Sequence, residues 1–172
     1  MHFRNLRMAS RKGVGVTIIF LVGVVAASFL VYLIPEDTTM KITVSDFDKH
    51  LDITKERASM ETESVDESFE KLIEKKLGPN EYIGIAEVSS SQINSLIIEL
   101  TNSGATEEWT ESYVNYIGAL KKLNEKITET IVVANLMNDD NNSSSINEII
   151  AKIHQLEIES QDLIKKSDNT RP

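Results

Sequence analysis

Apolar positions fall along this chain in two ways. From Val14 to Ile34 (VGVTIIFLVGVVAASFLVYLI) they form one run with no charge in it. Beyond Pro35 they thin into periodic stripes set in polar sequence. The run has 21 residues. As a helix it spans roughly 31 Å, which matches a hydrocarbon core of about 30 Å. A buried soluble helix keeps a polar stripe. Here only Thr17 and Ser28 interrupt, and both can bond to their own backbone.

The stripes after Pro35 predict a mainly helical domain. Thr38–Val44 alternates, with Met40, Ile42 and Val44 on one side, and reads as a short strand or linker. Ser45, followed by Asp46 and Asp48, opens a helix. Its apolar positions are Phe47, Leu51, Ala58, Val65, Phe69, Leu72 and Ile73. Between Thr54 and Ser68 the stripe is thin, which predicts exposure or a break there. Gly78-Pro79-Asn80 ends that helix, with the glycine at the position past its end. Tyr82–Val88 reads as a second short strand, able to pair with Thr38–Val44, although Gly84 weakens it. Ser89 and Gln92 have capping-box spacing and open a helix that carries Ile93, Leu96, Ile97 and Leu100 and closes at Gly104.

Thr106 caps the clearest helix. Trp109, Tyr113, Tyr116, Leu120, Leu123, Ile127, Thr130, Ala134 and Met137 follow strict 4-3 spacing, a coiled-coil-like seam. Asn138–Ser144 is a polar turn. Ser145 and Glu148 repeat the capping-box spacing before a last helix with Ile146, Ile149, Ile150, Ile153, Leu156, Leu163 and Ile164, ending at Lys165-Lys166. Ser167–Pro172 reads as a frayed, disordered tail. Two long helices joined by a polar turn make an antiparallel hairpin. With the earlier helices this predicts a three- or four-helix bundle with room for one strand pair. The resulting layout is a basic N-terminus 1–13, a transmembrane helix 14–34, a linker 35–44, a helical domain 45–166 and a tail 167–172.

Charge gives this layout a direction. Arg4, Arg7, Arg11 and Lys12 precede the apolar run, and all 27 acidic residues follow Pro35. The positive-inside rule then makes the N-terminus cytoplasmic and residues 36–172 extracytoplasmic, with the chain a single-pass signal-anchor protein of the cell membrane. The segment after Pro35 holds the remaining 14 of the 18 basic residues against 27 acidic ones, a net of −13. That argues against nucleic acid as a partner. With no cysteine, disulfides and thiolate metal sites are excluded, which suits a prokaryotic extracytoplasmic domain held by packing. A cleaved signal peptide is the rival reading, with Ala26-Ala27-Ser28 as its cleavage site, but the apolar run continues past it to Ile34. Met8 is an alternative start that leaves the orientation unchanged. Gly23-x-x-x-Ala27 can pair two membrane helices or simply face lipid.

Arg11-Lys12-Gly13 followed by a long apolar helix resembles the N-termini of archaeal pilins and archaellins. That resemblance covers residues 11–34. It implies cleavage after Gly13, with the apolar helix forming a filament core. The chain departs from the pattern by lacking an acidic residue early in the helix, as many bacterial type IV pilins carry one. Its far domain also reads helical, where many pilin heads are β-rich.

Candidate chemistry is sparse. Asn138–Ser144 has the look of a calcium loop, but the glycine and glutamate that an EF-hand needs are replaced by Ser145 and Ala151, or by Ser143 and Ile149, depending on register. Asn141 and Asn142 each head a glycosylation tripeptide. His50 and Asp46, four apart, can contribute two metal ligands, but a solvated pair explains them as well. Glu107-Glu108 reads as surface. Trp109, Tyr113 and Tyr116 are either core at one end of the bundle or an aromatic recognition patch. No cofactor, metal site, catalytic constellation or known small-molecule ligand emerges. The reading is a membrane-anchored, non-catalytic interaction or accessory subunit, whose long seam docks with a protein partner or with itself. The alternatives are an extracytoplasmic ligand-binding or sensor module, or a pilin-like filament subunit. About a dozen residues precede the apolar run, so a sensor would pass its signal through another protein.

Overall fold

The computed structural model describes residues 44–138 and 143–172. Val14–Ile34, the linker up to Lys41-Ile42-Thr43, and the tripeptide asparagines Asn141 and Asn142 lie outside the described residues. Within them there are four α-helices and no strand: α1 Phe47–Ile73, α2 Pro79–Thr101, α3 Glu107–Asn138 and α4 Ser143–Asn169. No helix among the described residues is long and apolar enough to cross a membrane.

α1 begins one residue later than Ser45 suggests. Asp46 is the capping residue, and its carboxylate accepts from Lys49 N at 3.0 Å. The helix then runs unbroken through its charged middle. Leu51, Thr54, Ala58, Val65, Ser68 and Leu72 are buried on one stripe. The stripe looks thin in sequence because Thr54 and Ser68 occupy core positions. Thr54 pays no polar penalty there, since its hydroxyl donates to His50 O at 2.8 Å.

α1 also ends before Gly78. Lys75 takes the left-handed conformation past the end, with φ 58°. Lys75 N donates to Leu72 O and Lys76 N to Lys71 O, the paired closure of a Schellman motif. Gly78 and Pro79 start the next helix instead of stopping the last. Gly78 is extended and Pro79 takes the first turn, where its missing N–H costs nothing.

Tyr82–Val88 is therefore helix, not strand, and Ser89 is a mid-helix residue rather than a cap. A seven-residue apolar window cannot separate the two periods; the longer one can. Tyr82, Ala86, Ser89, Ile93, Leu96 and Leu100 are all buried at 4-3 spacing. Tyr82 packs on Phe69 and its hydroxyl donates to Thr130. Gly84 lies on the exposed side, and a Cβ there would meet nothing within 4 Å. Alanine would suit that helical position better by about 1 kcal/mol, so the fold itself gives no reason for the glycine.

α3 is the spine. Its 4-3 seam is buried from Tyr113 to Ala134 against α1 and α2, with Trp109 and Met137 partly buried at the ends. A second row, Ser112, Ala119, Lys126 and Val133, is also buried. The seven-residue repeat of that row puts it on one face, toward α4. Small side chains let those two helices approach closely: Ser112 Oγ donates to Ser167 O at 2.8 Å, Ser160 Oγ donates to Ala119 O at 3.1 Å, and Leu163 lies 3.4 Å from the Cβ position of Gly118.

α4 starts at Ser143, so Ser145 lies inside it and caps nothing. It also continues past Lys165-Lys166, and the tail is not frayed. Ser167 is buried, and Arg171 reaches Asp48 and Asp52 of α1, each at 2.7 Å. Side-chain pairs make successive helices antiparallel: Glu61 with Ser89, Tyr82 with Thr130, Ser112 with Ser167. α3 packs on each of the other three helices, whereas no Cα of α1 comes within 8 Å of one in α4.

Candidate functional site

That gap is a cleft of about 290 Å³. Lys55, Ala58 and Thr62 line it from α1, Gln161 and Ile164 from α4, and Tyr116 and Leu123 of α3 form its floor. The floor is apolar and the rim polar. Lys55 Nζ lies 5.4 Å from the centroid of the Tyr116 ring and pairs with Asp168. A cation over the face of a ring is attracted to it electrostatically. Burial raises the Tyr116 hydroxyl above its usual range, and Asp168 adds to the shift.

Two further ties cross the cleft besides the pairing of Lys55 with Asp168. Arg171 closes one end through Asp48, Asp52 and Asp168, its Nε being the one buried side-chain nitrogen without a partner among the described residues. Further down, Lys126 rises from α3 between the two walls. Its ammonium lies 2.8 Å from Asp66 on α1 and also pairs with Glu157 on α4. Burial pulls the Lys126 ammonium down, but the two carboxylates more than offset it, so the group titrates above its ordinary value. Glu157 moves the opposite way: burial pushes it up, and Lys126 brings it below the ordinary value.

At the Arg171 end the aromatic residues behave as core. Tyr113 and Tyr116 are each 2 % exposed, and Trp109 is half-buried. Phe47, Trp109 and Tyr113 contact one another with centroids 5.9–6.3 Å apart. Little of this group is left for a solvent-facing recognition patch.

His50 is not part of a solvated pair with Asp46. Its Nδ1 lies 2.9 Å from the Tyr113 hydroxyl and its Nε2 lies 3.0 Å from Glu99 Oε1. Tyr113 donates its proton to Phe47 O at 3.0 Å. Holding all three bonds needs a proton on both ring nitrogens. With only one ring proton, on Nε2, Tyr113 turns its own toward Nδ1. Burial carries the Tyr113 hydroxyl up to about 12.

Glu99 is the hub on α2. Burial would raise its carboxyl, but hydrogen bonds from Arg57 (2.8 Å) and His50 lower it below the ordinary 4.5. Glu99 and Glu157 are thus both depressed in the folded state. Their stabilisation is complete above an unfolded value near 4.5 and is lost as pH falls through the folded values. The urea midpoint should therefore be flat from pH 7 to about 5 and fall below about 4.5. In Glu99→Gln that fall should be shallower. A midpoint independent of pH down to 3 would contradict these ion pairs.

Among the described residues no group of three or more histidine, aspartate or glutamate side chains is placed to hold a metal ion. The structure brings Tyr113 and Trp109 into edge contact, while Tyr116, buried in the same core, forms the floor of the cleft. The residues that the sequence reading passed over are Lys55, Lys126 and Arg171, whose partners lie on other helices. The burial of Lys126 has one trace in sequence, its place seven residues from Ala119 and from Val133. No protein-family model, curated protein or solved structure gives a significant match to this chain.

Proposed function

We propose that the chain is a membrane-anchored extracytoplasmic interaction or accessory subunit that works by binding rather than by catalysis. The anchor is the charge-free run Val14–Ile34 with its basic flank. The observation that carries the domain's part is that both buried faces of α3 are filled by the chain's own helices. The long seam is therefore internal, and the partner is met by the outer surface. This reading replaces docking through Trp109–Met137, which has no free face to offer.

The test is N-terminal sequencing and intact mass of the protein from its native membranes, with a carbonate wash. A start at Met1 or Met8 and retention in the washed membranes are expected. A start at Val14 would make the chain a filament subunit, and a start near Phe29 would make it a released helical protein. The cleft favours one alternative, a ligand-binding module. Its volume of about 290 Å³ is at the small end of ligand pockets, roughly 300–1,000 Å³. A ligand seated there would displace Lys55 from the Tyr116 ring.

A further inference from the structure

The outer face of α2 repeats the spacing of its inner one. Gly84, Val88, Ser91, Ser95 and Ile98 follow one another at 4-3 intervals and all are exposed. Val88 and Ile98 are each 61 % exposed, among the most exposed large apolar residues described. No charge lies between Glu87 and Glu99 in a chain with 27 acidic residues. Glu99 itself is turned onto Arg57 and His50. Ser95 bonds back to Ser91 O at 3.0 Å, which satisfies its hydroxyl within the helix. Gly84 meets nothing in its own fold. A glycine in an exposed helix interior, against its propensity, leaves room for close approach by a second backbone.

We propose that this face pairs with the same face of a second copy, antiparallel, about a two-fold axis at Ser91. That register sets Gly84 opposite Ile98 and Ser91 opposite Ser91, with Val88 one residue out of level with Ser95. Each large side chain then meets a small one, as an isologous contact needs. Electrostatics selects the same direction. Antiparallel pairing sets Glu87 near Ser95 and Glu81 near Thr101. Parallel pairing would set each glutamate beside its own copy, and like charges directly opposed are unfavourable. The acidic faces elsewhere repel a second copy, while this one does not. The proposal deepens the interaction reading above by naming the partner.

The chain has no cysteine, so single cysteines can be placed in the full protein in its membranes. Under mild oxidation Ser91→Cys should form a disulfide dimer about tenfold or more faster than Val114→Cys, an exposed site on α3. Val88→Cys mixed with Ser95→Cys should crosslink, and Val88→Cys alone should not. Gly84→Leu, added to Ser91→Cys, should remove the fast crosslinking while leaving the helical circular dichroism unchanged, because the side chain has open space in the monomer. The proposal is overturned if Ser91→Cys reacts no faster than Val114→Cys, if its product is not twice the chain mass, if Val88→Cys alone crosslinks as fast, or if Gly84→Leu leaves the rate intact. A carbonate wash of the same membranes reports anchoring separately. A chain that washes off yet crosslinks loses the anchor and keeps the pairing; an anchored chain without the crosslink does the reverse.

Discussion

Tyr116→Ala should lower the stability of the domain by about 3–5 kcal/mol, the range for deleting a buried aromatic side chain. Tyr116 is 2 % exposed and forms the floor between α1 and α4, the two helices that do not pack on each other. Losing the ring would join its volume to the cleft and leave Lys55 without its aromatic neighbour. The walls cannot collapse to fill the space, because α3 holds each of them through other contacts. Trp109→Ala should cost less, about 1–2 kcal/mol, since the indole is only partly covered. Urea midpoints of the two variants, at unchanged slope, measure the difference. If the aromatic group were instead a binding patch, both midpoints would stay near the wild-type value and a partner would be lost.

The second large effect is at Lys126. Lys126→Ala should cost about 2 kcal/mol, because it strands two carboxylates that its ammonium now serves. Removing one partner of a fully buried pair costs about 3–5 kcal/mol. The figure here is lower because Asp66 and Glu157 still reach water, with side chains 46 % and 33 % exposed. Lys126→Met keeps the length and fills the same space but strands the same two carboxylates, so it should lose nearly as much as alanine, the small difference being the packing of the stem. The two variants separate packing from charge. Equal losses for methionine and alanine would mean that the ion pairs, rather than the side chain's bulk, hold α1 and α4 at their spacing. Thermal melts of both proteins at neutral pH decide between these.

Much of the fold can be read from the chain before any coordinates. The seam from Trp109 to Met137 is legible because nine positions keep one spacing and only Thr130 is polar. α1 is harder, because Thr54 and Ser68 are small hydroxyl residues standing where leucines would announce a core. α2 is misread at its start because Tyr82–Val88 is too short a window to separate the two periods, Ser89 has capping-box spacing, and Pro79 resembles a breaker when it is a first-turn residue. The face of α3 toward α4 is nearly invisible in sequence. Ser112, Ala119, Lys126 and Val133 mix polar and apolar residues, and what unites them is one buried face at seven-residue spacing. The cleft and its ties are illegible for a different reason. Lys55 with Asp168 and Arg171 with Asp48 join residues more than a hundred positions apart. Nor does local spacing betray that His50 bonds across to Tyr113 and Glu99 while Asp46 caps its own helix.

The grip of Arg171 on Asp48 and Asp52 brings the last residues of the chain beside the first turn of α1. Joining 172 to 44 through a short linker should therefore be geometrically easy, and the turn at 74–78 offers a natural place to cut. A circular permutant opened there keeps all four helices whole and changes only their order along the polymer. For the same reason, a fluorescent protein fused after Pro172 would emerge next to Asp48, at the end of the bundle where α1 begins.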